Sequence, residues 1–378
     1  VDRSDVLVVG GGIAGVSAAY FSARAGMEVM VVEAEPVLAR HSTGRSAALL
    51  FENYGPLPHR PLTRWSRRFL EEGMDGLVDH PVLTPRGALT IATHDRRPEL
   101  EAEAETGSRS GTDVRLIDPT DAAALVPVLR AELLAGAVWE PGASDLDVAA
   151  IHQGFVRGIR RAGGRIRTNS PVSALTRSDR GWVARVGNDD VEARVVVDAA
   201  GAWADEVARL ARVPEVGIRP LRRTVFTVPG PGNHGTWPMV VEVRHDFYFK
   251  PEGPDLLCSP ADQGLLPPSD PRPDELEIAR AIEEINRLTT LGIRTVRASW
   301  AGLRCFAPDD VMVIGPEPEV EGFFWLAGQG GTGIQTAPAA GFLTASLVVE
   351  GSAPRDLPDV DVEALSPARF RTHRLPGS

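Results

Sequence analysis

The chain has 378 residues, 43% of them hydrophobic, with 40 basic against 51 acidic side chains and a formal net charge of −11. That length suits two domains with a sizeable core, and the scattered arginines in an acidic chain argue against a nucleic-acid or anionic-membrane surface. Cys258 and Cys305 are the only cysteines and the eight histidines are dispersed, so no metal site is expected and a reduced, cytoplasmic setting fits.

The early apolar run Val6–Val9 is too short for a leader h-region or a membrane span. It reads instead as a strand opening a dinucleotide unit. Gly10, Gly12 and Gly15 spell G-x-G-x-x-G, an alanine-rich helical pattern runs to Arg24 and stops at Gly26, and "EVMVVE" gives a second strand ending in Glu33. Gly10 permits the tight turn, Gly12 lets a pyrophosphate approach the backbone, and Gly15 lets helix and strand touch. Ile13 and Ala14 open the helix, whose free N–H groups and dipole favour phosphate. Glu33, followed by Ala34, is placed to accept hydrogen bonds from a ribose diol. A merely structural glycine turn leaves Glu33 unexplained.

Residues 41–53, "HSTGRSAALLFEN", begin polar and basic, pass through small residues and end apolar, as a loop serving both phosphate and an apolar pocket would. Between Tyr54 and about Ser144 come a basic helix, "PLTRWSRRFLEEG", a strand, "GALTIATH", and a helix around "RPELEAEAE". The Arg and Glu residues of those helices read as solvated faces. His152–Leu175 reads as helix, turn and strand, and Gly181–Ala211 as a hairpin, a buried strand and a turn into a helix. From Val213 to Pro308, "RRTVFTV", "MVVEV" and "FYFK" are strands and "PDELEIARAIEEINRLTT" a helix, a mostly antiparallel α+β unit. Arg222 and Arg223 are adjacent on one such strand, so only one can face a site. Gly322–Glu350 is strand, glycine-rich turn and helix with no acid at the spacing of a second dinucleotide fold. The Pro-rich stretch after Gly351 is expected on the surface.

These pieces imply an α/β Rossmann-like cofactor domain of residues 1–53, 145–212 and 309–364. An α+β antiparallel-sheet substrate domain of 54–144 and 213–308 interrupts it, and a tail of 365–378 follows.

The stretches "HSTGRSAA", "DAAGAWAD", "RPLRRTVF", "FYFKP", "WAGLRCF", "EGFFWLAGQGGTGIQT" and residues 127–161 together resemble the D-amino-acid oxidase superfamily, within which the closest likeness is to D-arginine dehydrogenase. The resemblance implies a GR2-type fold and FAD, bound non-covalently because Cys305 is not where sarcosine oxidases attach it. It also implies hydride transfer from an amino acid to flavin N5. By the same resemblance, Arg223 and Arg304 clamp the substrate carboxylate and Tyr54 and Tyr248 surround it, while Gly331, Thr332 and Gln335 lie beside flavin and substrate. The cofactor would further meet His41, Ser42, Thr43, Gly44, Arg45, Ser46, Ala47 and Ala48, then Val172, Ala200, Gly201 and Trp203, and finally Gly330, Gly333, Ile334 and Thr336. Arg304 would serve cofactor and substrate alike.

Independently, two of the chain's three tyrosines fall on these positions, and Arg is the side chain that grips a carboxylate with two parallel hydrogen bonds. No strong side-chain base is required, in keeping with the absence of an evident His or Glu. The chain departs from D-arginine dehydrogenase where that enzyme holds a cationic side chain, with Ala88 in place of the acid and Leu49 and Phe51 in place of polar loop residues. A guanidinium buried there would lose its partners, so the expected substrate is an apolar or aromatic amino acid, most simply a D-amino acid. The alternatives are an N-methyl or cyclic imino acid, and an electron-transfer flavoprotein subunit. The expected acceptor is O2, a quinone or a soluble carrier, and the expected state a monomer or weak homodimer.

Overall fold

The computed structural model describes residues 2–371 and builds them around two eight-stranded sheets. Strand Asp2–Val9 lies inside the first, paired in parallel with Val29–Val32 on one edge and Asp189–Asp198 on the other. Its side chains alternate between two apolar layers, as strand geometry requires. Val6 and Val8 pack under the helices Ile13–Arg24, Val148–Arg161 and Gly333–Glu350, while Leu7 and Val9 join Met30, Trp182, Trp325 and the helix Ala204–Leu210. Covered on both faces, its second half, Val6–Val9, is continuously apolar. The hairpin Val172–Ser178/Gly181–Val186 and the strands Val313–Pro316 and Phe323–Ala327 complete this sheet with Arg165–Arg167.

The second sheet runs Ala298–Phe306, Arg219–Pro229, Asp255–Ser259, Tyr248–Glu252, Met239–Glu242, Ala88–Thr93, Leu134–Glu140, Arg115–Ile117. Only Met239–Glu242 and Ala88–Thr93 pair in parallel. Phe226, Phe249 and Val240 point toward the helix Glu275–Leu288, and Val225, Tyr248 and Val241 point the other way, toward Leu49 and Phe51. That second apolar layer holds the site. A small sheet, Leu49–Leu50/Ser144–Leu146/Leu83–Pro85, braces it. There Asp145 accepts from Arg86 Nε at 2.7 Å and from Lys250 Nζ at 2.9 Å, and buried Lys250 also pairs with Glu252.

Two expectations need correction. The helices Arg60–Glu71 and Arg97–Arg109 are not simply solvated on their charged faces. Arg60 is buried, donating to Asn53 O and Thr106 O, and Glu103 accepts from Asn53 Nδ2 at 2.9 Å. Both Nη groups of Arg60 are thus satisfied, while its buried Nε has no partner among the described residues. The stretch after Gly351 is not merely a surface run either. Leu357 and Leu365 enter the core, and Arg371 pairs with the fully buried Glu317 at 2.8 Å. Residues 372–378 of the expected tail lie outside the described residues. Among the described residues no helix is long and apolar enough to cross a membrane.

Candidate active site

A cleft of about 460 Å³ opens along the first sheet and meets a cavity of about 50 Å³ under the second. At the cleft's floor Gly10 has φ +113°, and a Cβ there would sit 2.4 Å from Ala199 O, so the turn admits only glycine. Gly15 faces the Gly10 carbonyl, where a Cβ would fall 1.9 Å from the oxygen. Glu33 Oε2 accepts from Gly11 N at 2.7 Å and Oε1 from Glu35 N at 2.9 Å, and Thr43 Oγ1 accepts from Ile13 N at 3.0 Å. His152, which sequence reasoning missed, joins its Nε2 to Gly11 O at 2.9 Å. Burial holds its pKa below the usual histidine range, so the neutral ring donates that bond.

The cleft wall includes Gly12, Ile13, Ala14, Glu33, Ala34, Ser42, Thr43, Val172, Ala200, Gly201, Gly330, Gly333 and Ile334. His41 and Trp203 stand at one end with ring centroids 4.7 Å apart, and His41 Nδ1 is buried with no partner among the described residues. Glycine turn, helix N-terminus, strand-end acid and this orphaned nitrogen together fit a dinucleotide cofactor. Arg45, also on the wall, is held by Asp270 at 2.6 Å and donates to Ala301 O at 2.9 Å. Cys305 lines the cleft too, but burial pushes its thiol up to about 12, leaving it unreactive.

The small cavity lies where both sheets meet the cofactor loop. Ser46, Ala47, Ala48, Leu49, Phe51, Met239 and Val241 give it a largely apolar side. Arg223 and Arg304 enter from adjacent antiparallel strands, with Arg223 opposite Gly302. Arg304 donates to Tyr54 Oη at 3.1 Å, and Tyr54 stacks on Phe51 at 4.9 Å. Gly331 has no room for a side chain, since its Cβ would lie 2.2 Å from that phenol oxygen. Arg223 is 7% exposed, its Nε is unpartnered, and no acid pairs with it among the described residues; burial and then the charge of Arg304 push it down to about 10. The buried Tyr248 hydroxyl has no partner either. No acidic side chain lines the cavity. Two guanidinium groups, still charged at neutral pH, and a free phenol thus await an anion.

Arg222 points to the opposite face of its strand, as alternation requires. It pairs with Asp262 at 2.8 Å and Asp274 at 2.5 Å. These acids begin and end a Pro-rich segment, residues 262–274, whose Asp270 reaches Arg45 and Arg40 at the cleft.

Several expected wall residues are used differently. Gln335 lines the small cavity, and its amide also accepts from Phe51 N and donates to Thr63 Oγ1, both at 3.2 Å, so it braces the loop as well. Thr332 Oγ1 bonds His59 Nδ1 and Gln329 O, and Thr336 Oγ1 bonds Thr332 O; neither threonine lines either cavity. Gly44 is turned to Ala39 O, and Ala88 packs in the apolar layer with Leu49 without reaching the wall.

The expected absence of a histidine is also corrected. His245 lines the cavity, its ring edge-on to Tyr54 with centroids 5.9 Å apart. It sits in a turn with φ +59°, fixed by Glu242 accepting from Arg244 N at 2.8 Å. Crowding by the walls, then the charges of Arg223 and Arg304, hold its pKa below the usual histidine range, although the residue reaches solvent at the rim. The sequence signal is slight: a histidine three residues before a site tyrosine, between two strands.

The chain is 27% identical over 93% of its length, and 82% of the relative's, to the Bos taurus protein named FAD-dependent oxidoreductase domain-containing protein 1. It is 24% identical to mitochondrial dimethylglycine dehydrogenase of Rattus norvegicus, over 95% of this chain but 44% of that longer protein. In fold it matches L-proline dehydrogenase from P. horikoshii with a TM-score of 0.86, 21% identity and 98% of each chain covered. The sequence profile described as DAO, FAD dependent oxidoreductase, matches residues 5–347. The chain therefore belongs to the DAO family of FAD-dependent oxidoreductases.

Proposed function

We propose that this oxidoreductase oxidises the C–N bond of a small α-amino acid with an apolar side chain or an N-alkyl group. The observation that carries the reading is the pairing of two buried arginines, without an acid, with the apolar wall of Leu49, Phe51, Met239 and Val241. Arg223 and Arg304 grip the carboxylate, and the spare Tyr248 hydroxyl adds a donor. An ammonium group finds no acid here and is repelled by both guanidinium groups, so the amine reacts neutral. His245, held neutral, is placed to take its proton toward the open rim. Bound FAD supplies the hydride acceptor once the nitrogen lone pair is free. Water then converts the imine to a carbonyl compound and an amine.

D-arginine is a poor fit, since Leu49 and Phe51 on the cavity wall offer a guanidinium no acceptor. An apolar D-amino acid is the first reading. A secondary or cyclic amine is the second, favoured by the small cavity and by relatives named for dimethylglycine and L-proline. Anaerobic mixing of the FAD-loaded protein with D-alanine, D-valine, L-proline, sarcosine, N,N-dimethylglycine and D-arginine tests both. Bleaching of the flavin band by one or more of the small apolar compounds, and not by D-arginine, is expected. Equal bleaching by D-arginine, or none by any amino acid, overturns the proposal.

A further inference from the structure

Beyond Leu50 the loop that carries Phe51 and Tyr54 has no strand partner, so its N–H groups must find acceptors elsewhere. Phe51 N donates to Gln335. The next two N–H groups, of Glu52 and Asn53, go to the two oxygens of one carboxylate, Glu140, at 2.6 and 3.2 Å. Glu140 ends the strand Leu134–Glu140, is 4% exposed, and lines neither cavity. Among the described residues it has no ion-pair partner. Its surroundings are Glu52, which pairs with Arg67 at 2.8 Å, and Arg60, with Arg64 and Glu103 beyond. A buried carboxylate spent wholly on two consecutive loop N–H groups is costly to fold, and the loop it holds places Tyr54 against Arg304.

We propose that Glu140 is a positioning residue that sets substrate affinity by fixing loop 51–54 from behind. This rests on the reading of the small cavity as a carboxylate site. The chemistry demands a carboxylate. Two donors side by side need two acceptor oxygens, whereas a glutamine would offer one and turn its own NH2 against the other N–H. Burial pushes Glu140 up to about 7, with the two N–H bonds pulling back and Glu52 and Arg67 acting in opposite senses. The ionised form makes the stronger bonds, so the loop tightens as pH rises through neutrality. Protonation of His245 acts the other way, drawing an anion in at low pH.

The test uses FAD-loaded protein and propionate, an apolar monocarboxylate with no amine to titrate, bound between about pH 6 and pH 8.5, where it stays ionised. The dissociation constant is read from the shift of the flavin spectrum. Affinity is expected to rise about three- to tenfold across that range, and Glu140→Gln to flatten the profile and bind about tenfold more weakly at the upper end. With an oxidised substrate the same variant should raise KM far more than it lowers kcat. A flat wild-type profile, or a Glu140→Gln variant that melts earlier yet binds like wild type, overturns the proposal. Should Glu140→Gln not fold, the wild-type profile still decides. Failure of every amino acid to bleach the flavin would remove the reading of function while leaving the propionate result standing.

Discussion

Arg222 and Arg223 leave one strand on opposite faces, the first toward Asp262 and Asp274, the second unpaired toward the cavity. Lysine at 223 would keep the charge but lose the planar fork. Arg223→Lys is therefore expected to raise the substrate KM about tenfold to a hundredfold, the worth of one charged hydrogen bond at ~1.5–3 kcal/mol, with a smaller fall in kcat, measured by steady-state kinetics. Arg223, Arg304, Tyr54 and Tyr248 were legible because rare or charged residues in apolar strands stand out and match a family pattern. His245 was not, because its approach depends on a positive φ in a turn that no residue spacing announces. Glu140 was illegible for a related reason: its partners are backbone N–H groups 87 and 88 positions away. Of the residues placed near the flavin by resemblance, Gln335 lines the small cavity while its amide also braces Phe51 and Thr63, whereas the Thr332 hydroxyl is spent on His59, a neighbour that only the folded chain supplies.

Among elements, the glycine turn and the helix to Arg24 were readable almost to the residue, because one local stretch must meet the demands of turn and helix start at once, whereas the first strand runs back to Asp2, well before the apolar run that announced it. Helix Arg60–Glu71 was readable in extent but not in surroundings. A charged face is ordinarily solvated, and only the packing of Asn53, Thr106 and Ser110 around Arg60 shows otherwise. The segment 262–274 is the element whose role emerged only in three dimensions. Its ends are stapled to Arg222 and its middle, Asp270, to Arg40 and Arg45, so it ties the second sheet to the mouth of the cofactor cleft. Asp270 is 53% exposed in its side chain, which limits each pair. Asp270→Ala is expected to speed FAD release about two- to fivefold at low ionic strength, as fits ~0.5–1 kcal/mol for such pairs, and much less in high salt. Recovery of free-flavin fluorescence after dilution measures it.

For the molecule as a whole, buried ionisable groups pull stability in opposite directions with pH. Asp198 is wholly buried, with Oδ1 accepting from Ala200 N and Oδ2 unpartnered, and burial raises its pKa well above the usual carboxylate value. The folded chain keeps that proton where the unfolded chain has lost it, so stability falls as pH climbs from the unfolded value toward the folded one. Glu140 acts likewise up to about 7. His59, pushed down to about 4 by burial, does the reverse, losing stability as pH falls from 6.5 toward that value. Asp198→Asn is therefore expected to stabilise the protein more near pH 8 than near pH 5, as denaturant unfolding at both pH values would report. At this scale the division into two kinds of sheet followed from composition and periodicity, whereas the meeting of residues 53, 60, 103 and 140 behind the site did not, since each sits in a different element. Lys250 is the only lysine in the sequence, and it is bound to Asp145, whose cross-strand neighbour Leu49 lines the cavity. Apart from the α-amino group, amine chemistry therefore has a single target, and an isotope-enriched methyl group introduced there by reductive alkylation would give one resonance, two residues along the strand from Tyr248, that listens to the cavity filling and emptying.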